Sequence, residues 1–369
     1  MKVQVIRKHF LAILVLGLAG TMVGCSKVQA TSSPGPTGAS GATIQAAIDA
    51  LGNAGGIVQL PCQTVYFNQT ITIRNPVDVR GCGTTIGAPL NEVYNGVPVH
   101  PEFPGTRLVW TGGQGIAIDI GPQSHDAGAR GTVLRDFNLE NQGDGTIGIR
   151  INTQEPRLIN VYVLSLGDAT PGKPFSTAGM VIGDLGLVND FLCRDCYVRF
   201  QQDGIQLLSV SEATIDHSRI LENFGNNIVV GDPNNIANNI QIVNGTNFSN
   251  VNCETCAQVG TGAGIKITRA SNIVNVTDGY CESNPGTYCI DATNVVGGNL
   301  NQLNVRDTYF ATGGGSTARA AYAIGLNAPS ANVVVSGNVF LGQTTAGVFN
   351  EKSGALFSEF NLLRTGPLR

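Results

Sequence analysis

The chain has 369 residues, enough for one large domain or two of ordinary size. Lys and Arg number 22 and Asp and Glu 26, a net charge of −4, which argues against a nucleic-acid partner held by phosphate contacts. Apolar residues make up 42% and charged residues 13%, which disfavours disorder, and the 48 glycines disfavour a helical bundle. A turn-rich β protein remains.

In chain order, Arg7 and Lys8 precede an apolar stretch from Phe10 to Val23. That stretch is shorter than the roughly 20 apolar residues of a membrane helix, so residues 1–24 read as a signal peptide. Two processing routes fit. Met22-Val23-Gly24-Cys25 resembles a bacterial lipobox, with Met22 where Leu is usual. Cys25 would then be lipidated and become the mature N-terminus, and Ser26 would favour the outer membrane. Val28-Gln29-Ala30 instead fits an ordinary cleavage site. Residues 25–41, rich in Ser, Pro and Gly, read as a tether. The expected location is outside the cytoplasm, either as an outer-membrane lipoprotein or extracellular. The only expected membrane contact is a lipid at Cys25.

Residues 42–51 place Ile44, Ala47, Ile48 and Leu51 at the spacing of an amphipathic helix. Eight cysteines follow Cys25, an even number in an exported chain, which is a disulfide signature. Cys62 and Cys82 form the clearest pair. Cys193-x-x-Cys196 and Cys253-x-x-Cys256 fit structural disulfides or buried thiols, with zinc as the competing reading.

A repeat runs through the rest. Asp136, Asn160, Asp195, His217, Gly245, Asp278, Asp307 and Gly337 form a turn column spaced 24, 35, 22, 28, 33, 29 and 30 residues apart. Two residues before each, and three after, stands an apolar residue. A second column alternates with the strand period of two: Ile149/Ile151, Met180/Ile182, Ile205/Leu207, Ile228/Val230, Ile265/Ile267, Tyr288/Ile290 and Ile324/Leu326. Constant short strands with variable loops predict a solenoid. The expected fold is all-β: one right-handed parallel β-helix of about ten coils over residues 42–369. Helix 42–51 would cap its first coil. Leu356, Phe357, Phe360, Leu362 and Leu363 would cover its last.

The helix at 42–51, Gly55-Gly56-Ile57-Val58-Gln59-Leu60-Pro61, Thr70-Ile71-Thr72-Ile73 and Val77-Asp78-Val79-Arg80-Gly81 together resemble the N-terminal segment of the pectate lyase superfamily. The match covers about residues 42–87, and later coils match only as generic repeats. The resemblance implies a carbohydrate-active protein, a lyase or hydrolase of an acidic polysaccharide. The alternative within the same fold is a non-catalytic glycan-binding or adhesin-like surface protein.

The family's substrate groove implies that the outward residues of the second column carry the site: Arg150, Val181, Gln206, Val229, Lys266 and Cys289, with Asp184, Asp232 and Arg269 in the adjoining turns and Asp203 on the opposite rim. Gly264-Ile265-Lys266-Ile267-Thr268 resembles the Arg-Ile-Lys motif of polygalacturonases, with Gly in place of Arg. Their paired aspartates and Gly-His-Gly are absent. Elimination needs a base and a group that neutralises the uronate carboxylate, roles open to Lys266 or Arg269. Asp184 and Asp232 are candidates for Ca²⁺ through oxygen ligation. Hydrolysis by inversion needs two carboxylates about 6.5–9.5 Å apart. Asp184 and Asp232, two coils apart, are about 10 Å by strand spacing. The competing reading is a solvated ladder in which Asp232 pairs with Arg269. Loops 88–105, 168–178, 253–263 and 311–322 could add specificity, and Tyr94 and Trp110 could stack on sugar rings, although Trp110 also alternates as a core residue does.

Overall fold

The computed structural model describes residues 40–84, 93–94, 97–98, 105–123, 127–141, 145–165, 176–249, 262–270, 272–283, 288–295, 300–312, 322–327, 332–343, 347–350 and 355–364. The expected signal peptide, Cys25, most of the expected tether, Cys253, Cys256 and most of the long loops lie outside the described residues.

Helix Gly41–Leu51 starts at a reciprocal cap. The Ser40 backbone N–H donates to Thr43 Oγ1 at 2.9 Å, and the Thr43 N–H donates to Ser40 Oγ at 3.3 Å. The helix buries Ile44, Ile48 and Leu51 on the first coil. Gln45 also serves the open strand Ile71–Ile73. Its side chain accepts from the Thr72 N–H at 2.7 Å and donates to the Thr72 carbonyl at 2.9 Å. One amide thus occupies backbone groups that a sheet edge would leave exposed.

Behind the helix the chain winds as a parallel β-helix. All strand pairings between coils are parallel, in a 15-stranded, a 10-stranded and a 4-stranded sheet. These form three walls. The first runs from Gly56–Gln59 to Ala355–Glu359, and the second is the 10-stranded sheet from Ile71–Ile73 to Val348–Asn350. The third begins at Thr64–Phe67, pairs next with Arg107–Trp110 and continues through the later halves of Val133–Asn141 and Arg157–Ser165 to Leu362–Arg364. Second-wall register stacks Ile149 on Met180, Ile205, Ile228 and Ile265, all 0% exposed. The first wall contributes Leu134, Leu158, Cys193, Ile215 and Ile242; the third contributes Leu139, Val163, Val198 and Ile220. No single coil encloses such a row, so burial comes from neighbours.

The turn column joins the first wall to the third. Its backbone is left-handed: φ is 62° at Asp136, 52° at Asn160, 55° at Asp195, 46° at His217, 54° at Asp278, 50° at Asp307 and 69° at Gly337. Asp and Asn tolerate this conformation better than most residues. One expected position shifts. In the Asn244 coil both Asn244 and Gly245 have positive φ, and Asn244 occupies the column. The extra residue places Ile242, rather than Val243, in the core row.

Just past this column a polar spine runs inside. The Cys196 N–H donates to Ser218 Oγ at 3.1 Å and the Ser218 N–H to Thr246 Oγ1 at 3.3 Å. Further on, the Thr308 N–H donates to Asn338 Oδ1 at 2.9 Å and the Asn338 N–H to Asn361 Oδ1 at 3.0 Å. Each coil's side chain satisfies a buried backbone donor of the coil before it.

Small residues mark the entry to the second wall: Gly148, Gly179, Gly204, Gly264, Cys289, Ala323 and Gly347, with Asn227 as the large exception. A Cβ on Gly179 would stand 2.4 Å from Val198 Cγ1 and 2.8 Å from the Gly204 carbonyl oxygen. This column corrects the placement of Cys289. Ile265 pairs with Ile290 and Lys266 with Asp291, so the inward pair is Ile290/Ala292 and Asp291 faces out. Cys289 is buried and bonded to Cys281. A slip of one residue inverts the face of a strand.

Cys62–Cys82 is a disulfide, as expected, and Cys193 is bonded to Cys196, which leaves that pair no thiolates for zinc. The C-terminal apolar residues are not a cover. Ala355–Glu359 and Leu362–Arg364 pair in parallel with the preceding coil and form the last described coil themselves.

Two substitutions test this packing by thermal unfolding. Ile205→Ala removes a fully buried side chain and is expected to cost about 2–5 kcal/mol. Gly179→Ala is expected to cost about 1–3 kcal/mol, because the new methyl meets backbone as well as Val198. A melting temperature unchanged in both would contradict the stacked core.

Candidate functional site

The outer row of the second wall runs from Thr72 and Asp119 through Arg150, Val181, Gln206, Val229 and Lys266 to Asp291. Strand alternation sends these side chains away from the core. The turns that follow carry Asp184 and Asp232 with Arg269, and Asp203 begins its own strand on the other rim.

Charge on this wall is mostly paired between coils. Arg150 Nε donates to Asp119 Oδ1 at 3.0 Å and Nη2 to Oδ2 at 2.7 Å, a bidentate contact. That contact holds the guanidinium above its ordinary pKa, against the opposing effect of burial. Asp184 joins this group, with Oδ2 3.8 Å from Arg150 Nη1 and Oδ1 accepting from Asn152 Nδ2 at 2.9 Å. Lys266 Nζ donates to Asp291, whose other oxygen accepts from Thr293 N at 2.9 Å and Thr293 Oγ1 at 2.6 Å. Burial pushes Asp291 up, but the hydrogen bonds from Lys266 and Thr293 prevail and its pKa lies below the ordinary value.

Asp203 and Asp232 are engaged locally. Asp203 accepts from the Asn226 N–H at 2.7 Å, Asn226 Nδ2 at 3.2 Å and Gln206 Nε2 at 2.8 Å. Asp232 accepts from the Asn234 and Asn235 N–H groups, both at 2.7 Å, and from Asn235 Nδ2 at 3.0 Å. Burial raises the Asp232 pKa, yet these bonds and the charge of Arg269 bring it below the ordinary value.

The expected Asp232–Arg269 ion pair is not formed. Arg269 Nη1 donates to the Pro233 carbonyl at 3.0 Å, and its buried Nε has no hydrogen-bond partner among the described residues. Arg269 therefore differs from Arg150 and Lys266, which both meet carboxylates.

The five predicted residues thus fall into four places rather than one. Asp184 belongs with Arg150 and Asp119, Lys266 with Asp291, and Asp232 with Arg269 in the equivalent turns of neighbouring coils, while Asp203 anchors the opposite rim. Asp184 and Asp232 do not fit a calcium site. An intervening coil separates them, Ca²⁺ takes 6–8 oxygens, and no group of three or more His, Cys, Asp or Glu side chains is placed to hold a metal among the described residues.

The sequence reading missed three residues here. Asp119 and Asp291 lie in the outer row, and only coil register reveals them as partners of the two cations. Glu140, on the third wall, is wholly buried. It pairs with Arg107 through Oε1, and Oε2 has no hydrogen-bond partner among the described residues. Burial pushes its pKa up, Arg107 opposes this, and the result is about 7 against an ordinary value of 4.5.

A folded-state pKa above the unfolded one means that the folded chain binds more protons between those values. The associated stability is complete below pH 4.5 and is lost as pH rises to about 7. The expected loss is up to about 3 kcal/mol. Chemical denaturation from pH 4.5 to 8 should show this slope in the wild type and a flatter one in Glu140→Gln. Parallel slopes would refute the assignment.

No family model matches the chain, and no curated protein matches it in sequence. Solved structures do match. DFA-IIIase from Arthrobacter chlorophenolicus A6, in complex with DFA-III, aligns with a TM-score of 0.59 and 13% identity over 92% of this chain and 85% of that one. ORF18 of Geobacillus virus E2 aligns with a TM-score of 0.51 and 15% identity over 86% of this chain, which spans only 58% of the viral one. An alginate lyase from Paenibacillus sp. str. FPU-7 aligns with a TM-score of 0.46 and 12% identity over 88% and 98%. At these identities the likeness is one of fold.

Proposed function

We propose that this protein is an exported, carbohydrate-active β-helix that takes an acidic polysaccharide along the outer face of its second wall and cleaves it by elimination or hydrolysis. The observation that carries this reading is Arg269. Of the wall's cations Arg150, Lys266 and Arg269, it alone makes no carboxylate contact among the described residues. A uronate carboxylate is the complementary ligand for such a guanidinium. Neutralising that carboxylate would acidify the adjacent C–H, as elimination requires. Lys266 is one coil register away from Val229, on the same stretch of wall.

Export is supported by the disulfides Cys62–Cys82, Cys193–Cys196 and Cys281–Cys289, which belong to an oxidising compartment. Membership of the pectate lyase superfamily rests on the N-terminal segment resemblance together with the parallel β-helix. Lipidation at Cys25 belongs to the same proposal and would fix the protein to a membrane.

A second reading is favoured by the acids. Asp203 and Asp232 are each saturated by three N–H donors of their own chain, which suits a rigid binding surface better than a proton acceptor. On this reading the wall binds glycan without cleaving it.

Incubation with uronate polysaccharides, with and without Ca²⁺, separates the two. Absorbance from unsaturated ends reports elimination, and new reducing ends alone report hydrolysis. Arg269→Ala is expected to lower the rate about 10²–10³-fold, with partial rescue by Arg269→Lys. Binding without turnover would favour the second reading. Folded protein that neither binds nor cleaves any of the panel would overturn both.

A further inference from the structure

The outer row of the second wall changes character past Lys266. Its register runs from Lys266 to Asp291 and then to Gly325. Gly325 lies between the inward residues Ile324 and Leu326, so a side chain there would point outward, as those of Lys266 and Asp291 do. The position is nevertheless buried. A Cβ at Gly325 would stand 2.8 Å from Thr293 Cγ2 and 3.0 Å from both Cδ1 and Cε1 of Tyr288. Tyr288 stands two residues before the inward Ile290, the place that Asp203 holds before Ile205. Its ring therefore reaches from that rim over the outer face of the next coil, into the room that the glycine leaves. Tyr288 itself stays partly exposed. Thr293 ties this apolar patch to the charged row. Its methyl borders Gly325, while its N–H and Oγ1 hold Asp291 Oδ1, and Asp291 pairs with Lys266.

We propose that this is a sugar subsite, in which one ring of a bound polysaccharide lies against Tyr288 and turns its polar edge to Asp291 and Lys266. It presupposes the glycan-binding wall proposed above and places one unit of the glycan on it. A pyranose has the matching chemistry. Its C–H groups are slightly positive and suit an aromatic ring, whose π face is negative. Its hydroxyls both donate and accept. Asp291 supplies acceptor oxygens, and the Lys266 ammonium has N–H groups beyond the one given to Asp291. In a uronate unit the same ammonium would meet the carboxylate. Asp291 is one coil from Gly325, about 4.8 Å, within reach of a ring lying there. A purely apolar partner would bury the ion pair without answering it, a cost that a sugar avoids.

Equilibrium binding of uronate and neutral oligosaccharides of increasing length to the full chain, or KM where they are turned over, tests this. Tyr288→Leu keeps an apolar side chain but removes the aromatic ring, and should weaken binding of the longer oligosaccharides about tenfold. Tyr288→Phe keeps the ring and should stay within about twofold of the wild type. Gly325→Ala puts a methyl where the ring lies and should also weaken binding, with little further loss when combined with Tyr288→Leu. A role in packing alone would lower the melting temperature and leave affinity unmoved. Should Tyr288→Leu or Gly325→Ala fail to fold, nitration of the wild-type tyrosines decides instead. Bound oligosaccharide should protect Tyr288, and nitration indifferent to the ligand would overturn the proposal. Uronate binding with unchanged affinity in Tyr288→Leu would overturn the subsite and leave the wider glycan reading standing. Tyr288-dependent binding confined to neutral oligosaccharides would uphold the subsite and sink the acidic-polysaccharide reading. Folded protein that binds no oligosaccharide would overturn both.

Discussion

The whole molecule depends on one constraint: each strand can satisfy its backbone and bury its side chains only against the equivalent strand one coil away. Hydrogen bonds run along the axis between coils about 4.8 Å apart. The core is therefore a set of rows rather than a ball. This is why a chain with so few aromatics buries so much. Isoleucine dominates the second-wall row, and leucine, isoleucine, valine, cysteine and phenylalanine share the third. The same constraint explains the polar spine. A residue leaving a strand for the turn cannot pair within its own coil, so the next coil supplies an oxygen.

Stacking also decides what the outer wall can offer. Because neighbours in a row come from different coils, ion pairs such as Arg150–Asp119 and Lys266–Asp291 connect coils rather than decorate one. Partly buried pairs of this kind fix side-chain positions, at a desolvation cost that offsets much of their attraction. They leave a wall whose charges are mostly paired, interrupted where Arg269, near Asp232, bonds to the Pro233 carbonyl and forms no ion pair among the described residues.

Much of the fold was legible because the period is local. The turn column needed only Asp, Asn, His or Gly at the start of each coil's second straight, and its residues do carry the left-handed backbone. The second-wall alternation held for every pair but Tyr288/Ile290. There the small Ala292 concealed an inward position, and Tyr288 imitated one. The Asn244–Gly245 coil was misread by one residue because a turn with two left-handed residues leaves the flanking apolar pattern almost intact. The site was less legible. That Asp232 would bond to Asn234 and Asn235 instead of Arg269 depends on turn geometry. That Glu140 would be buried depends on what lies over the third wall. Neither is encoded in spacing.

The left-handed column has a use beyond closing a corner. Its side chains stand outside the core, one per coil, and the chain already accepts acid, amide, imidazole and phenyl groups there, the last at Phe360. The rod therefore carries a graduated scale of outward positions, one per coil, open to residues that accept a left-handed backbone. Groups installed along it would be held at fixed multiples of the coil rise, and their spacing would report any stretch or fracture of the rod.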